Sequence, residues 1–202
     1  MNSFVRTTRL LSELRPVFKR WVTFHHKYVK YWEGTDCAWW HNERASTGVF
    51  AIAAWRPGEV ALEEYGAKKG VGKDNYMGRS DLYLTNRSHD FVVEAKQSWI
   101  TLAQISDGLD DISNNLDQAC RDAMRSSDPV SRRIGVVFVV PRFRVPVQRD
   151  RNRIVKMWLK ELEAVSSDAF CWASPKEALK LKAEGLFYPG VALIARAVKK
   201  SR

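Results

Sequence analysis

The chain has 202 residues, 45% hydrophobic and 28% charged, with 9 Phe, 6 Tyr and 8 Trp, a composition that excludes a disordered chain and fits one globular domain spanning residues 1–202. Thirty-three Lys and Arg against 23 Asp and Glu give a formal net charge of +10, which points to polyanionic partners. No apolar run approaches the roughly 20 residues of a membrane helix, the longest being Val49 to Trp55 and Val136 to Pro141.

Cys37, Cys120 and Cys171 are odd in number and lack the paired spacing of a zinc site or a disulfide framework, so they read as reduced thiols. The N-terminal MNSFVRTTRLLSELRP mixes Arg with Glu and lacks the order of a secretory signal. A soluble, cytoplasmic protein with no membrane partner is expected.

Residues 4–32 place apolar side chains near i, i+3, i+4 and i+7 among Lys19, Arg20, Lys27 and Lys30, which predicts one or two helices in a helical N-terminal extension over 1–40. Their aromatic stripe suits a core-covering face and also a surface that stacks on bases. Asn42 is the natural N-cap of an Ala-rich helix from Glu43 to Trp55 that Pro57 and Gly58 end. Val60 to Tyr65 reads as a short strand. Gly66, Lys68, Lys69, Gly70, Gly72 and Lys73 then read as a basic glycine-rich loop. This loop is not a Walker A motif, because Ala67 and Asp74 stand where that motif needs Gly and Ser or Thr.

Asp81 to Leu84 and Phe91 to Lys96 read as two strands joined by the turn Asn86 to Asp90, with Glu94 and Lys96 sharing one face. A helix is expected from about Leu102 to Met124. Ile134 to Val140, apolar and β-branched, has the pattern of a strand buried on both faces. A helix over Asn152 to Ala164, a strand over Ala169 to Ala173, a short helix over Pro175 to Ala183 and a strand over Val191 to Val198 complete the chain. His25, His26, His41 and His89 show no metal-ligand spacing, although His41 lies two residues before Glu43.

The order helix, strand, strand, strand, helix, strand carries Glu43 on the first helix. Gly78-Arg79-Ser80-Asp81 opens one strand, and Glu94-Ala95-Lys96 closes the next. This pattern resembles the PD-(D/E)XK nuclease family, with Ser80 where the family name has its Pro. The resemblance covers Asn42 to Pro141, about half of the chain. It implies an α/β fold with a restriction-endonuclease-like core (residues 42–141) and a mixed central sheet flanked by helices, residues 142–202 completing the sheet.

It also implies a Mg²⁺- or Mn²⁺-dependent nuclease acting on DNA. The catalytic residues would be Asp81, Glu94 and Lys96, and the metal ligands Glu43, Asp81, Glu94 and the carbonyl of Ala95. Those residue types suit the chemistry. Carboxylates from adjacent strands hold a hard cation, and an ammonium beside the attacking water stabilises developing charge. Glu63, Glu64, Gln97 and Gln118 are supplementary candidates, the last like the helical Gln of some exonuclease-like members.

Lys68, Lys69, Lys73 and Arg79 are expected to contact nucleic-acid phosphates. Two other readings stay open: a nucleic-acid-binding member of the fold that does not cleave, and a phage or mobile-element protein acting on a host protein. A homodimer is open as well.

Overall fold

A strand that is apolar at every position needs cover on both faces, and Ile134 to Val140 receives it. In the computed structural model, which describes residues 3–56, 59–70, 75–86, 88–101, 105–130, 132–144 and 151–198, this run forms β5 (Arg132–Arg142), the central strand of a seven-stranded sheet. The other strands are β1 (Ser3–Thr7), β2 (Val60–Lys69), β3 (Tyr76–Thr85), β4 (Asp90–Thr101), β6 (Ala169–Ala173) and β9 (Val191–Val198). Their spatial order is β1-β6-β9-β5-β4-β3-β2, and β7 (Lys182–Ala183) pairs only with β8 (Leu186–Phe187).

Only β4 and β5 are parallel; every other neighbouring pair in the sheet is antiparallel. A parallel pair needs a crossover, which α3 (Ile105–Met124) supplies. The sheet is therefore mixed and the protein is α/β.

Two apolar clusters cover the two faces. On one, α1 (Arg15–Tyr31) and α2 (Glu43–Ala54) pack Phe18, Trp21 and Phe50 against Ile134, Val136 and Phe138. On the other, Ile112 and Leu116 of α3 join Val155, Trp158, Leu159 and Leu162 of α4 (Arg151–Leu162) over Val137 and Val139. The α4 positions follow the spacing that aligns one helix face. Phe18 and Trp21 are fully buried, so most of the α1 aromatic stripe covers the core, while Tyr31 and Trp32 at its end remain exposed. Among the described residues, no helix is long and apolar enough to cross a membrane.

Several elements differ from the sequence expectation. Ser3–Thr7, read as helical, is a strand, because β6 offers an open edge and Phe4 packs against Phe170 at 6.1 Å; pairing overrides local pattern. Gly66, Lys68 and Lys69 belong to β2 and not to a loop, since β3 pairs with them as far as Lys69↔Tyr76. Asp81 and Glu94 consequently lie inside long strands and not at their ends. Pro175 to Ala183 holds only a short 3-10 turn (Glu177–Lys180) before β7. Pro57, Gly58, Gly72, Lys73 and Leu102 lie outside the described residues.

The α3–β5 packing makes one glycine obligatory. A Cβ at Gly135 would stand 2.6 Å from both the backbone nitrogen and the Sγ of Cys120 on α3. Gly135→Ala is expected to cost about 1–3 kcal/mol, the usual scale of overpacking, seen as a lower urea midpoint at unchanged slope. Gly66→Ala, whose Cβ meets nothing within 4 Å, serves as the control. Equal midpoints in the two variants would refute the close approach.

Candidate functional site

The sheet divides beside the residues that the sequence singled out. The β3–β4 ladder runs from Thr85↔Asp90 to Leu82↔Val93 and stops, although both strands continue. β3 stays paired with β2 to Tyr76, and β4 stays paired with β5 to Thr101. The next register step would set Asp81 opposite Glu94, so both stand where the fork opens.

A fork leaves backbone groups without a ladder partner, and a buried amide in that state is costly. Two carboxylates take the place of β3. Asp81 Oδ2 accepts the Ala95 N–H at 2.7 Å, and Glu43 Oε2 accepts the Gln97 N–H at 3.0 Å. Because a residue's N–H and C=O leave a strand on the same edge, the Ala95 carbonyl also faces the fork.

Glu43 is delivered by the start of α2, where Asn42 Oδ1 accepts the Ala45 N–H at 2.9 Å in the expected N-cap. Ser46, one turn on, donates to Gln97 Oε1 at 2.7 Å. Gln97 thus ties β4 to α2.

Glu94 has a different partner. Its Oε1 accepts from Lys69 Nζ at 2.8 Å, and both side chains are almost wholly buried. Lys69 reaches it because the end of β2 is fastened to the segment after α3. The Gly70 N–H donates to the Arg125 carbonyl and the Ser127 N–H to the Lys68 carbonyl, each at 2.9 Å. That segment is itself gripped by the buried Arg133 guanidinium, which donates to the carbonyls of Ser126 and Asp128. Lys69, expected among the phosphate contacts, is thus an internal counter-charge in this arrangement.

Lys96 points to α3, with Nζ 3.6 Å from Asp122 Oδ2. Gln118 donates to the other oxygen of Asp122 at 2.8 Å, which links this supplementary candidate to Lys96 through one carboxylate.

The remaining candidates border the fork. Glu64, with a left-handed φ of 50°, lies between Arg44 (3.4 Å) and Arg79 (3.3 Å). Glu63 faces α2 near Gly48. Lys68 is exposed. His41 stands against Trp40 and Asp36.

Electrostatics tie the acids together. Burial raises the Glu43 pKa and the Asp81 and Glu64 charges add to the rise, while Lys96 and the Gln97 N–H oppose it. Burial likewise raises Glu94; the Lys69 hydrogen bond opposes the rise, and Asp81 adds to it. Asp81 therefore acts on both other carboxyls.

The oxygens of Glu43, Asp81, Glu94 and Ala95 are the hard donors that Mg²⁺ or Mn²⁺ takes, so the donor set fits such a cation. Among the described residues, however, no three His, Cys, Asp or Glu side chains stand together as a ready metal site. Glu94 is engaged by Lys69, and Asp81 and Glu43 each commit an oxygen to β4.

Asp122 and the counter-charge role of Lys69 were missed in the sequence. The Gln118–Asp122 spacing of four on a helix was the available signal for the first. No family model matches the chain, and no match was found among curated proteins or solved structures.

The two roles of Asp81 can be separated. Asp81→Asn retains an oxygen for the Ala95 N–H and removes the charge; Asp81→Ala removes both. Because Glu43 and Glu94 titrate above the ordinary 4.5 when folded, the native state binds more protons than the unfolded state just above that pH. Their effect is therefore a stability loss as pH rises through this window.

Asp81→Asn should flatten that loss and be at least as stable as wild type at pH 7. Asp81→Ala should be about 1 kcal/mol less stable than Asp81→Asn, for want of the acceptor. Urea titrations from pH 4.5 upward measure both effects. Parallel curves for all three proteins would remove Asp81 as the common source of repulsion.

Proposed function

We propose that this chain is a divalent-cation-dependent nuclease acting on DNA. In this reading α2, β2, β3, β4, α3 and β5 form a restriction-endonuclease-like core of the PD-(D/E)XK kind. The observation that carries the reading is the stretch Ala95–Gln97. Carboxylates from β3 and α2 accept the N–H groups on either side of Lys96, which gathers two acids, a lysine and a strand carbonyl about one fork. The element order and the net charge of +10 support it, the charge by favouring phosphate neutralisation.

Asp81, Glu94, Glu43 and the Ala95 carbonyl would hold the cation, which when bound activates water and offsets phosphate charge. Lys96, carried on β4 between the two anchored amides, supplies a compact positive charge to the attacking water and to the negative charge that develops on the phosphoryl oxygens. Asp122, held by Gln118, orients that ammonium from α3. Glu43 is fixed by the Gln97 N–H, so one of its oxygens keeps its place when the site fills. Arg79 and Lys68 lie at exposed positions suited to backbone phosphates.

One observation favours a second reading. Glu94 is already neutralised by Lys69, which suits a nucleic-acid-binding member of the same fold that does not cleave. Supercoiled, linear duplex and single-stranded DNA, each incubated with Mg²⁺, Mn²⁺ or EDTA, separate the two: cleavage with either metal and none with EDTA is expected. Binding without cleavage under every condition would favour the second reading.

Lys96→Ala sharpens the mechanism. It loses a long, partly exposed ion pair with Asp122, of the kind that adds little stability, and a charge that eases the burial of Glu43, while both amide anchors on either side of it remain, so the fold and DNA affinity should persist. Cleavage should fall at least ~10²-fold, the scale for one electrostatic stabiliser. Lys96→Arg should not restore it fully, because a planar guanidinium does not reproduce a compact ammonium. An undiminished rate in Lys96→Ala would overturn the role given to this residue.

A further inference from the structure

We propose that Lys69 is a tethered stand-in for the divalent cation, occupying Glu94 while the fork is empty and yielding that carboxylate when a cation binds. The inference rests on the cation-dependent reading above and adds an exchange step to it. Lys69 Nζ lies 2.8 Å from Glu94 Oε1, with side-chain exposures of 11% and 4%. This is no surface lysine resting on a nearby acid. The partners sit on β2 and β4, with β3 between them in the sheet.

Two features make an exchange necessary. A cation bound by Glu94 would lie about 2.0–2.6 Å from its ligating oxygen, beside an ammonium already at hydrogen-bond distance from the same carboxylate. Two positive charges on one buried acid repel. Conversely, Lys69 cannot simply swing out of an empty site, because breaking a buried pair strands an uncompensated charge, and Asp81 adds its own charge next to Glu94. The ammonium thus leaves Glu94 only when another cation takes over neutralisation.

The backbone of Lys69 is held through this exchange. Lys69 forms a bridge with Ser126, flanked by the Gly70–Arg125 and Ser127–Lys68 bonds, so only the side chain needs to move. A released ammonium at this strand end borders the exposed Lys68 and is available to an anion that arrives with the cation.

The test is calorimetric titration of Mn²⁺, without nucleic acid, into wild type, Lys69→Gln and Lys69→Arg. Lys69→Gln keeps a hydrogen-bond donor for Glu94 but no competing charge, and should bind Mn²⁺ roughly tenfold or more tightly than wild type, the scale on which one nearby charge moves an ionic equilibrium. Lys69→Arg holds Glu94 with a fork of donors and should bind severalfold more weakly. Circular dichroism establishes that each variant is folded, and if Lys69→Gln is not, the Lys69→Arg arm decides alone.

Equal or weaker binding by folded Lys69→Gln, or unchanged or tighter binding by Lys69→Arg, overturns the exchange while leaving the cation-dependent reading intact, with Lys69 then positioning Glu94 as a ligand. No Mn²⁺ uptake by wild type or either variant at millimolar concentration overturns the cation-dependent reading itself, and the exchange with it.

Discussion

The organisation of the site follows from the obligation of backbone amides to be paired. β3 and β4 share a ladder over four residue pairs and then part, which exposes the edge of a strand that is otherwise central to the sheet. Other acceptors must satisfy the amides left there. Carboxylates from β3 and from the first turn of α2 do so in the structure, and that brings negative charge into a partly buried cleft. The acids are therefore both structural and available for chemistry: each has one oxygen bound to β4 and another that the strand does not use.

Concentrating acids this way would be unfavourable without nearby positive charge. Lys69 neutralises Glu94 from the β2 end, Lys96 eases the burial of Glu43, and Arg44 and Arg79 flank Glu64 at the rim. These cations come from different elements, and the sheet and α2 bring them together. Arg133 contributes indirectly by fixing the segment after α3 on which the end of β2 is fastened. The position of Lys69 therefore depends on core packing and not on a surface loop.

Much of this was legible in the sequence, for identifiable reasons. The doubly buried β5 was readable because a continuous apolar, β-branched run has few alternatives, and the strands Ala169–Ala173 and Val191–Val198 because they are short and almost wholly apolar. Glu43 at the head of α2 was readable because Asn42 is a cap with a mechanism. What failed was non-local. β1 is a strand only because β6 has a free edge, and Gly66 to Lys69 extend β2 only because β3 lies alongside, whereas glycines and lysines together read locally as a loop. The partners of the charged residues were the least legible: the Glu94–Lys69 pair spans 25 residues and three strands, which no spacing rule encodes.

Asp81 stands where the sheet is irregular on both sides, and this accounts for its reach. On the β4 side the ladder has just ended. On the β2 side the register passes from Glu63↔Leu82 to Tyr65↔Ser80 without a pairing at Glu64, the residue that would lie opposite Asp81 and whose φ is 50°. A non-glycine residue in that region costs on the order of 1–3 kcal/mol and persists only where its surroundings over-determine it; Arg44 and Arg79, one from α2 and one from β3, hold the Glu64 carboxylate from two directions. With regular pairing lost on either flank, the Asp81 side chain can reach the backbone of β4 instead of standing out from a continuous pleat. The same irregularity places its charge between Glu43 and Glu94, so the distortion of β2 and the parting of β4 are two halves of one arrangement, with Asp81 as their common element.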